Sequence, residues 1–119
     1  MRVAGGALKP GKFLTNTQIK YVTQRIENII EEISTDIYGI QVSEITITQN
    51  QHFIFTVNRN NVQRITIVVF NGGHREQIEE NFEAGKLKSV YFDLGSFRDF
   101  PSLKSSIREY VQRKLIFEN

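Results

Sequence analysis

The chain has few of the side chains that catalysis needs. His52 and His74 are its only histidines, it has no cysteine, and no serine lies in a Gly-x-Ser-x-Gly turn. His74 and the glutamates that follow it at 79 and 80 match no recognised metal-binding spacing. The glycine-rich stretch 5–12 lacks the Gly-Lys-Ser/Thr ending of a phosphate-binding loop. We therefore expect a protein with no enzymatic activity, no bound metal and no cofactor.

Basic side chains carry more information, because they are unevenly distributed. Residues 1–26 contain five lysines or arginines and no acidic residue. Residues 27–83 contain nine acidic and three basic residues, and residues 84–119 contain seven basic and four acidic ones. The formal net charge of +2 thus conceals two basic ends around an acidic middle. Asymmetry of this kind indicates a partner rather than a fold.

Both basic ends supply candidate phosphate contacts. Those near the N-terminus flank a turn or lie off the apolar stripe of a helix, and the others lie on or after the last helix. The predicted nucleic-acid-binding residues are Lys9, Lys12, Lys20, Arg25, Lys104, Arg108, Arg113 and Lys114. A structural alternative exists for the last four, because cations near the C-terminus of a helix favour its dipole. The prediction requires the N-terminal arm and the last helix to meet in space.

Two other clusters favour structural roles. The acidic residues between 27 and 36 follow helical spacing and are typical of a solvated helix face, as are the glutamates between 76 and 83. Phe53 and Phe55 are spaced like the base-stacking aromatics of some sheet platforms. No basic residue lies between them, so the better interpretation is core packing.

The chemical groups need elements that hold them, and the first is a long helix. Residues 1–14 are glycine-rich and contain Pro10-Gly11, a favourable pair for a type II turn, so we expect a basic arm. Thr15 and Gln18 match the capping-box pattern that begins a helix. The apolar stripe of this helix comprises Ile19, Val22, Ile26, Ile29, Ile30, Ile33 and Ile37. Gly39 is suited to end it.

The period of the apolar residues then changes from 3.6 to two, which predicts strands. Residues 45–48, 53–57 and 62–70 form a three-stranded antiparallel meander separated by asparagine-containing turns. The third strand is apolar on both faces near its end, which is typical of a central strand or of one covered by a second subunit. Residues 74–84 predict a short surface helix ended by Gly85, and residues 87–94 predict a fourth strand.

Asp99 and Pro101 suit the start of a final helix. Its buried stripe comprises Phe100, Leu103, Ile107, Tyr110 and Val111. The sequence therefore predicts a single α+β domain over residues 1–119. An antiparallel sheet of about four strands packs against the N-terminal and C-terminal helices. No apolar run is long enough for a membrane-spanning helix, and the start lacks a secretory signal, so we expect a cytoplasmic protein without a membrane partner.

Two functions follow from these patterns. The first is a small regulatory or accessory protein that binds nucleic acid, RNA in preference to DNA, through its basic ends. The second is a protein-interaction module, a homodimer that does not bind nucleic acid. Its interface would use the surplus apolar surface of the third strand or of Leu115, Ile116 and Phe117, which follow the last helix.

Overall fold

The computed structural model describes residues 1–9, 11–61, 63–73 and 79–117. The predicted turn at Pro10 and the first half of the predicted short helix, residues 74–78, lie outside these ranges. Strands β1 (Arg2–Val3) and β2 (Gly6–Ala7) pair as a small antiparallel hairpin within the N-terminal arm. Val3 and Leu14 are buried, so the arm packs against the rest of the domain.

Helix α1 (Asn16–Asp36) is the long helix that the sequence predicts. Its capping box is present: the Thr15 hydroxyl accepts a hydrogen bond from the Gln18 amide at 3.2 Å, and the Gln18 side chain accepts one from the Thr15 amide at 2.9 Å. Gly39 has a φ of +86° just beyond its end. The apolar stripe is buried at Val22, Ile26, Ile29, Ile33 and Ile37 and partly buried at Ile19 and Ile30.

The main sheet has six strands and is mixed, which differs from the predicted antiparallel sheet of about four. Its strands are β3 (Ile40–Val42), β4 (Thr46–Ile47), β5 (Phe53–Arg59), β6 (Gln63–Phe70), β7 (Glu79–Glu83) and β8 (Lys86–Asp93). Their order is β3-β5-β6-β8-β7, with β4 also paired to β5. The antiparallel pairs β4–β5 and β5–β6 confirm the predicted meander. However, β6 and β8 are parallel neighbours.

The predicted short helix over 74–84 is wrong where the structure describes it. Residues 79–83 form the edge strand β7, whose five residues are all exposed, and a tight turn joins it to β8. Ala84 and Gly85 both have positive φ, +53° and +78°, as a two-residue type I′ hairpin turn requires. Ala-Gly lacks the asparagine or aspartate that normally signals such a turn. The sequence therefore predicts a helix end at Gly85 instead of a hairpin turn.

Helix α2 (Phe100–Val111) confirms the predicted last helix. The Asp99 carboxylate caps it by accepting a hydrogen bond from the Ser102 amide at 2.8 Å, and its predicted apolar stripe is buried throughout. A π-helical segment, Gln112–Phe117, follows. Leu115 is buried, and its carbonyl accepts a hydrogen bond from the Arg59 guanidinium at 2.9 Å. The C-terminal segment thus docks on β5 of its own domain.

Both helices pack on one face of the sheet, and the hydrophobic core lies between the helices and the sheet. Phe53, Phe55 and Val57 of β5 join the buried residues of α1 and α2 in one cluster, so core packing is the correct interpretation of the two phenylalanines. Alternate residues point to the other face, which we call the open face because no described helix covers it. The central position of the predicted third strand is confirmed, since β6 lies between β5 and β8. Neither helix combines the length and apolar composition that a membrane crossing requires, within the described residues.

Candidate nucleic-acid interface

The two helices run in the same direction, which determines where the basic segments lie. The rings of Tyr21 and Phe100 are 6.1 Å apart, near the start of each helix. Further along, Lys104 contacts Glu32 and Arg108 contacts Asp36. Because later residues of α1 contact later residues of α2, the two helices are parallel. Both of their N-termini therefore lie at the same end of the sheet. We call it the upper end; it is the end where β6 and β8 finish.

The N-terminal arm and the last candidate cations therefore lie at different ends. The arm leads directly into α1 at the upper end. Arg113 and Lys114 follow the C-terminus of α2, a helix of 12 residues that is roughly 18 Å long. We call their end of the molecule the lower end. The arm and the segment after α2 therefore do not form one surface, although Arg25 and Lys104 of the two basic ends line one groove between the helices.

On α2, the cations neutralise the acidic half of α1. The ammonium of Lys104 is 2.6 Å from a carboxylate oxygen of Glu32 and 3.7 Å from one of Asp36, and Arg108 is 3.9 Å from Asp36. The hydrogen bond with Glu32 raises the pKa of Lys104. No basic residue lies in the last turn of α1, where a cation would offset the helix dipole. Lys104 and Arg108 supply that compensation from the neighbouring helix.

The two cations beyond α2 contact the domain as well. Lys114 is 3.5 Å from Glu80 of β7, and the guanidinium of Arg113 lies 5.3 Å from the centre of the Tyr110 ring. Tyr110 donates a hydrogen bond of 2.7 Å to Glu80. This hydrogen bond and the nearby Lys114 lower the pKa of Glu80, against the opposing effect of partial burial. Lys114 and Tyr110 thus attach the edge strand to α2.

At the upper end, the arm is fixed by its backbone and leaves its lysines exposed. The side-chain amide of Asn71 donates hydrogen bonds of 3.0 Å to the carbonyls of both Lys9 and Lys12. Gln51 accepts a hydrogen bond from the Leu14 amide at 2.7 Å and donates one to the Leu14 carbonyl at 3.1 Å. In the part of the chain that the structure describes, neither lysine forms an ion pair. Their charges remain available to a partner.

Lys20 and Arg25 extend this charge along the first half of α1. Lys20 is exposed and forms no ion pair with any described residue. Arg25 lies 5.2 Å from the centre of the Phe100 ring and lines a shallow groove of about 210 Å³ between the helices, opposite Lys104. Lys9, Lys12 and Lys20 are thus near the upper end, and Arg25 lies midway along α1. The other four predicted cations form ion pairs or a ring contact within the domain.

A buried carboxylate closes the glycine loops of the upper end. One oxygen of Asp93 accepts hydrogen bonds from the amides of Gly72 and Gly73, both at 3.0 Å, and from that of Gly95 at 2.9 Å. Glycine-rich loops with several free amides are typical anion-binding sites. Here the protein's own carboxylate occupies that position, so these amides cannot bind a phosphate.

Three rings form an aromatic cluster beside these loops, on the open face. The centre of the Phe70 ring is 5.5 Å from that of His52 and 6.0 Å from that of Tyr91, and the His52 and Tyr91 rings are 6.4 Å apart. All three side chains are partly exposed. The sequence pattern places His52 at the start of a strand and does not connect it with the other two rings. One feature of the sequence indicates the position of these two rings: Phe70 and Tyr91 each adjoin a residue of the core face, Val69 and Phe92. Alternation along a strand therefore places both rings on the other face.

The described residues contain no group of three histidine or carboxylate side chains that would hold a metal ion. Comparison of the chain with protein-family models, with curated proteins and with solved structures gives no match in any of the three.

Proposed function

We propose that the protein is a small non-enzymatic regulatory or accessory protein of the cytoplasm that binds nucleic acid, RNA in preference to DNA. The upper end would be its binding region. Lys9, Lys12, Lys20 and Arg25 would contact phosphates, which position a nucleic acid without reading its sequence. The cations of α2 and the C-terminal segment would serve the fold instead.

One observation carries this proposal: the two groups of cations differ in whether they are neutralised within the domain. Lys104, Arg108 and Lys114 each contact a carboxylate. Lys9, Lys12 and Lys20 are exposed without an ion pair among the described residues, in a stretch of 26 residues without an acid. Exposed cations that do not stabilise a fold still attract polyanions by releasing their counterions.

Matched charge reversals test the proposal. The Lys9→Glu/Lys12→Glu variant should bind a fluorescein-labelled RNA oligonucleotide at least about tenfold more weakly than the wild type, as measured by anisotropy at low salt. The Arg108→Glu/Arg113→Glu variant changes the net charge equally but at a distance from the arm. It should bind within about twofold of the wild type. Equal losses in both variants, or no binding by the wild type, would refute the proposal. A DNA oligonucleotide of the same sequence measures the preference for RNA.

A second candidate function, homodimerisation, has its own observation. Tyr38 and Phe117 follow the C-terminal ends of the two helices at the lower end, and they are 98% and 75% exposed. Two exposed aromatic side chains at one end suit a protein interface. Leu115 is buried in its own domain, so of the predicted C-terminal contacts Phe117 offers the larger free surface. Sedimentation equilibrium of the wild type and of Tyr38→Ser/Phe117→Ser tests this; a monomeric wild type would exclude it.

A further inference from the structure

The aromatic cluster of His52, Phe70 and Tyr91 lies on the open face of the sheet, and all three side chains are partly exposed. Phe53, Val69 and Phe92, the neighbours of these residues in the chain, all point to the helices and are buried. Because side chains alternate along a strand, the three rings point the opposite way. No described helix covers them. Partly exposed rings on a sheet are platforms on which unpaired bases stack.

The arm places two lysines beside this cluster. Asn71, which directly follows Phe70, holds the carbonyls of Lys9 and Lys12 at 3.0 Å. The backbone of each lysine is therefore hydrogen-bonded directly to the residue that follows Phe70. Ring faces and lysine ammonium groups in this arrangement match the two parts of a nucleotide, its base and its phosphate.

Next to the rings, the open face carries the apolar Ile54 and Val68, which are in register with Tyr91, and the row beyond them is polar. Thr56, Thr66 and Ser89 are paired in register across β5, β6 and β8; the two threonines are partly exposed, and Ser89 is buried. The two threonine hydroxyl groups can donate hydrogen bonds to bases or sugars and accept hydrogen bonds from them. The exposed Glu79 lies opposite Tyr91 at the β7 edge and would repel phosphates. A bound strand would therefore run over β5 and β6 toward the arm, away from β7.

We propose that the His52–Phe70–Tyr91 platform binds the unpaired bases of a single-stranded nucleic acid whose phosphates are held by Lys9 and Lys12. This inference rests on the proposed function and specifies its ligand. Bases within a duplex are stacked on each other and cannot reach the rings, so the platform would discriminate between single-stranded and double-stranded forms. The lysines alone would not.

The experiment compares two ligands and two variants. Wild-type protein should bind a labelled 12-nucleotide single strand at least about tenfold more tightly than the duplex of the same sequence at equal salt. Phe70→Leu/Tyr91→Leu keeps apolar side chains on the sheet but removes two ring faces, and should lose about tenfold in single-strand affinity. Phe117→Leu removes a ring at the lower end and should leave the single-strand affinity unchanged. Circular dichroism melting verifies that each variant is folded.

The outcomes separate this inference from the proposed function. If wild type binds single strands and duplexes equally, and only the lysine reversals weaken binding, the polyanion function stands and the platform is refuted. If the wild type binds neither ligand, both are refuted. Should the leucine variant fail to fold, the ratio of single-strand to duplex affinity in the wild type decides alone. Quenching of tyrosine emission by the single strand, reduced in Tyr91→Phe at unchanged affinity, would place a base on Tyr91.

Discussion

Asp93 is buried, and one of its carboxylate oxygens accepts hydrogen bonds from three backbone amides. Each of these amides would lose its partner if the side chain were removed, and a buried unsatisfied donor costs about 1–3 kcal/mol. The loops also lack room for rearrangement. A Cβ atom on Gly72 would lie 2.5 Å from the Phe70 ring and 2.7 Å from the carboxylate of Asp93.

Asp93→Ala should therefore lower the free energy of unfolding by about 3 kcal/mol, measured by urea denaturation at neutral pH. Asp93→Asn keeps an acceptor oxygen in the same place and should cost less, about 1 kcal/mol. An alanine variant as stable as the wild type would show that the amides find other partners and that the loops do not depend on this carboxylate.

Glu80 gives the protein a pH-dependent contact. The hydrogen bond from Tyr110, with Lys114 beside it, lowers the pKa of this carboxyl in the folded state. A lowered folded-state pKa contributes stability above the pKa of the unfolded chain, about 4.3, and the contribution is lost as the pH falls through the folded-state value.

Glu80→Gln should accordingly be less stable than the wild type by about 1 kcal/mol at pH 7, a value reduced for the partial exposure of the pair. The difference should shrink as the pH is lowered below about 4.3. Urea denaturation over this pH range measures it, and Glu79→Gln, an exposed neighbour on the same strand, is the control. A difference that does not depend on pH would contradict this role of Glu80.

Among the elements, α1 and α2 depend on each other for electrostatic balance. The carboxylates in the second half of α1 lie near the negative end of its dipole, which is unfavourable. Lys104 and Arg108 of α2 offset this negative charge. Lys104→Glu should lower Tm by several degrees, because it places a third negative group beside Glu32 and Asp36.

Adding Glu32→Lys to this variant should restore part of the loss, since the ion pair is re-formed with opposite signs. Lys20→Glu serves as the control, because this exposed residue is in the first turns of α1, where a negative charge suits the dipole. Its Tm should remain near that of the wild type. If Lys104→Glu and Lys20→Glu behave alike, the ion pairs do not hold the helices together.

The elements with strong periodicity could be predicted from the sequence. The stripe of α1, its capping box, the meander and the Asp99 cap all follow from local chemistry. The edge strand β7 could not be predicted, because its turn is formed by Ala84 and Gly85. The parallel pairing of β6 with β8 depends on where the chain crosses between them, and no local pattern specifies that crossing.

For the molecule as a whole, the sequence predicts that the basic N-terminal arm and the basic C-terminal end meet in one surface. In the structure the arm and the segment after α2 lie apart, at different ends, and Arg25 and Lys104 of the two basic ends line one groove. Lys104, Arg108 and Lys114 are paired with acidic residues of the middle. Lys9 and Lys12 lie at the upper end beside the aromatic cluster, and Lys20 and Arg25 lie on α1, on the opposite face of the sheet. Sequence reasoning found these cations by composition alone. It missed the cluster, because His52, Phe70 and Tyr91 come from separate segments that only the sheet topology brings together.

The measurement that tests the central claim most directly is the salt dependence of single-strand binding. Each phosphate contact on a single strand contributes about −0.7 to the slope of log K against log salt, so four contacts predict a slope of about −3. Lys9→Gln/Lys12→Gln removes two contacts and should reduce the magnitude of the slope by about 1.4. A wild-type slope near zero, or one that this variant leaves unchanged, would contradict the claim that the N-terminal cations bind a polyanion.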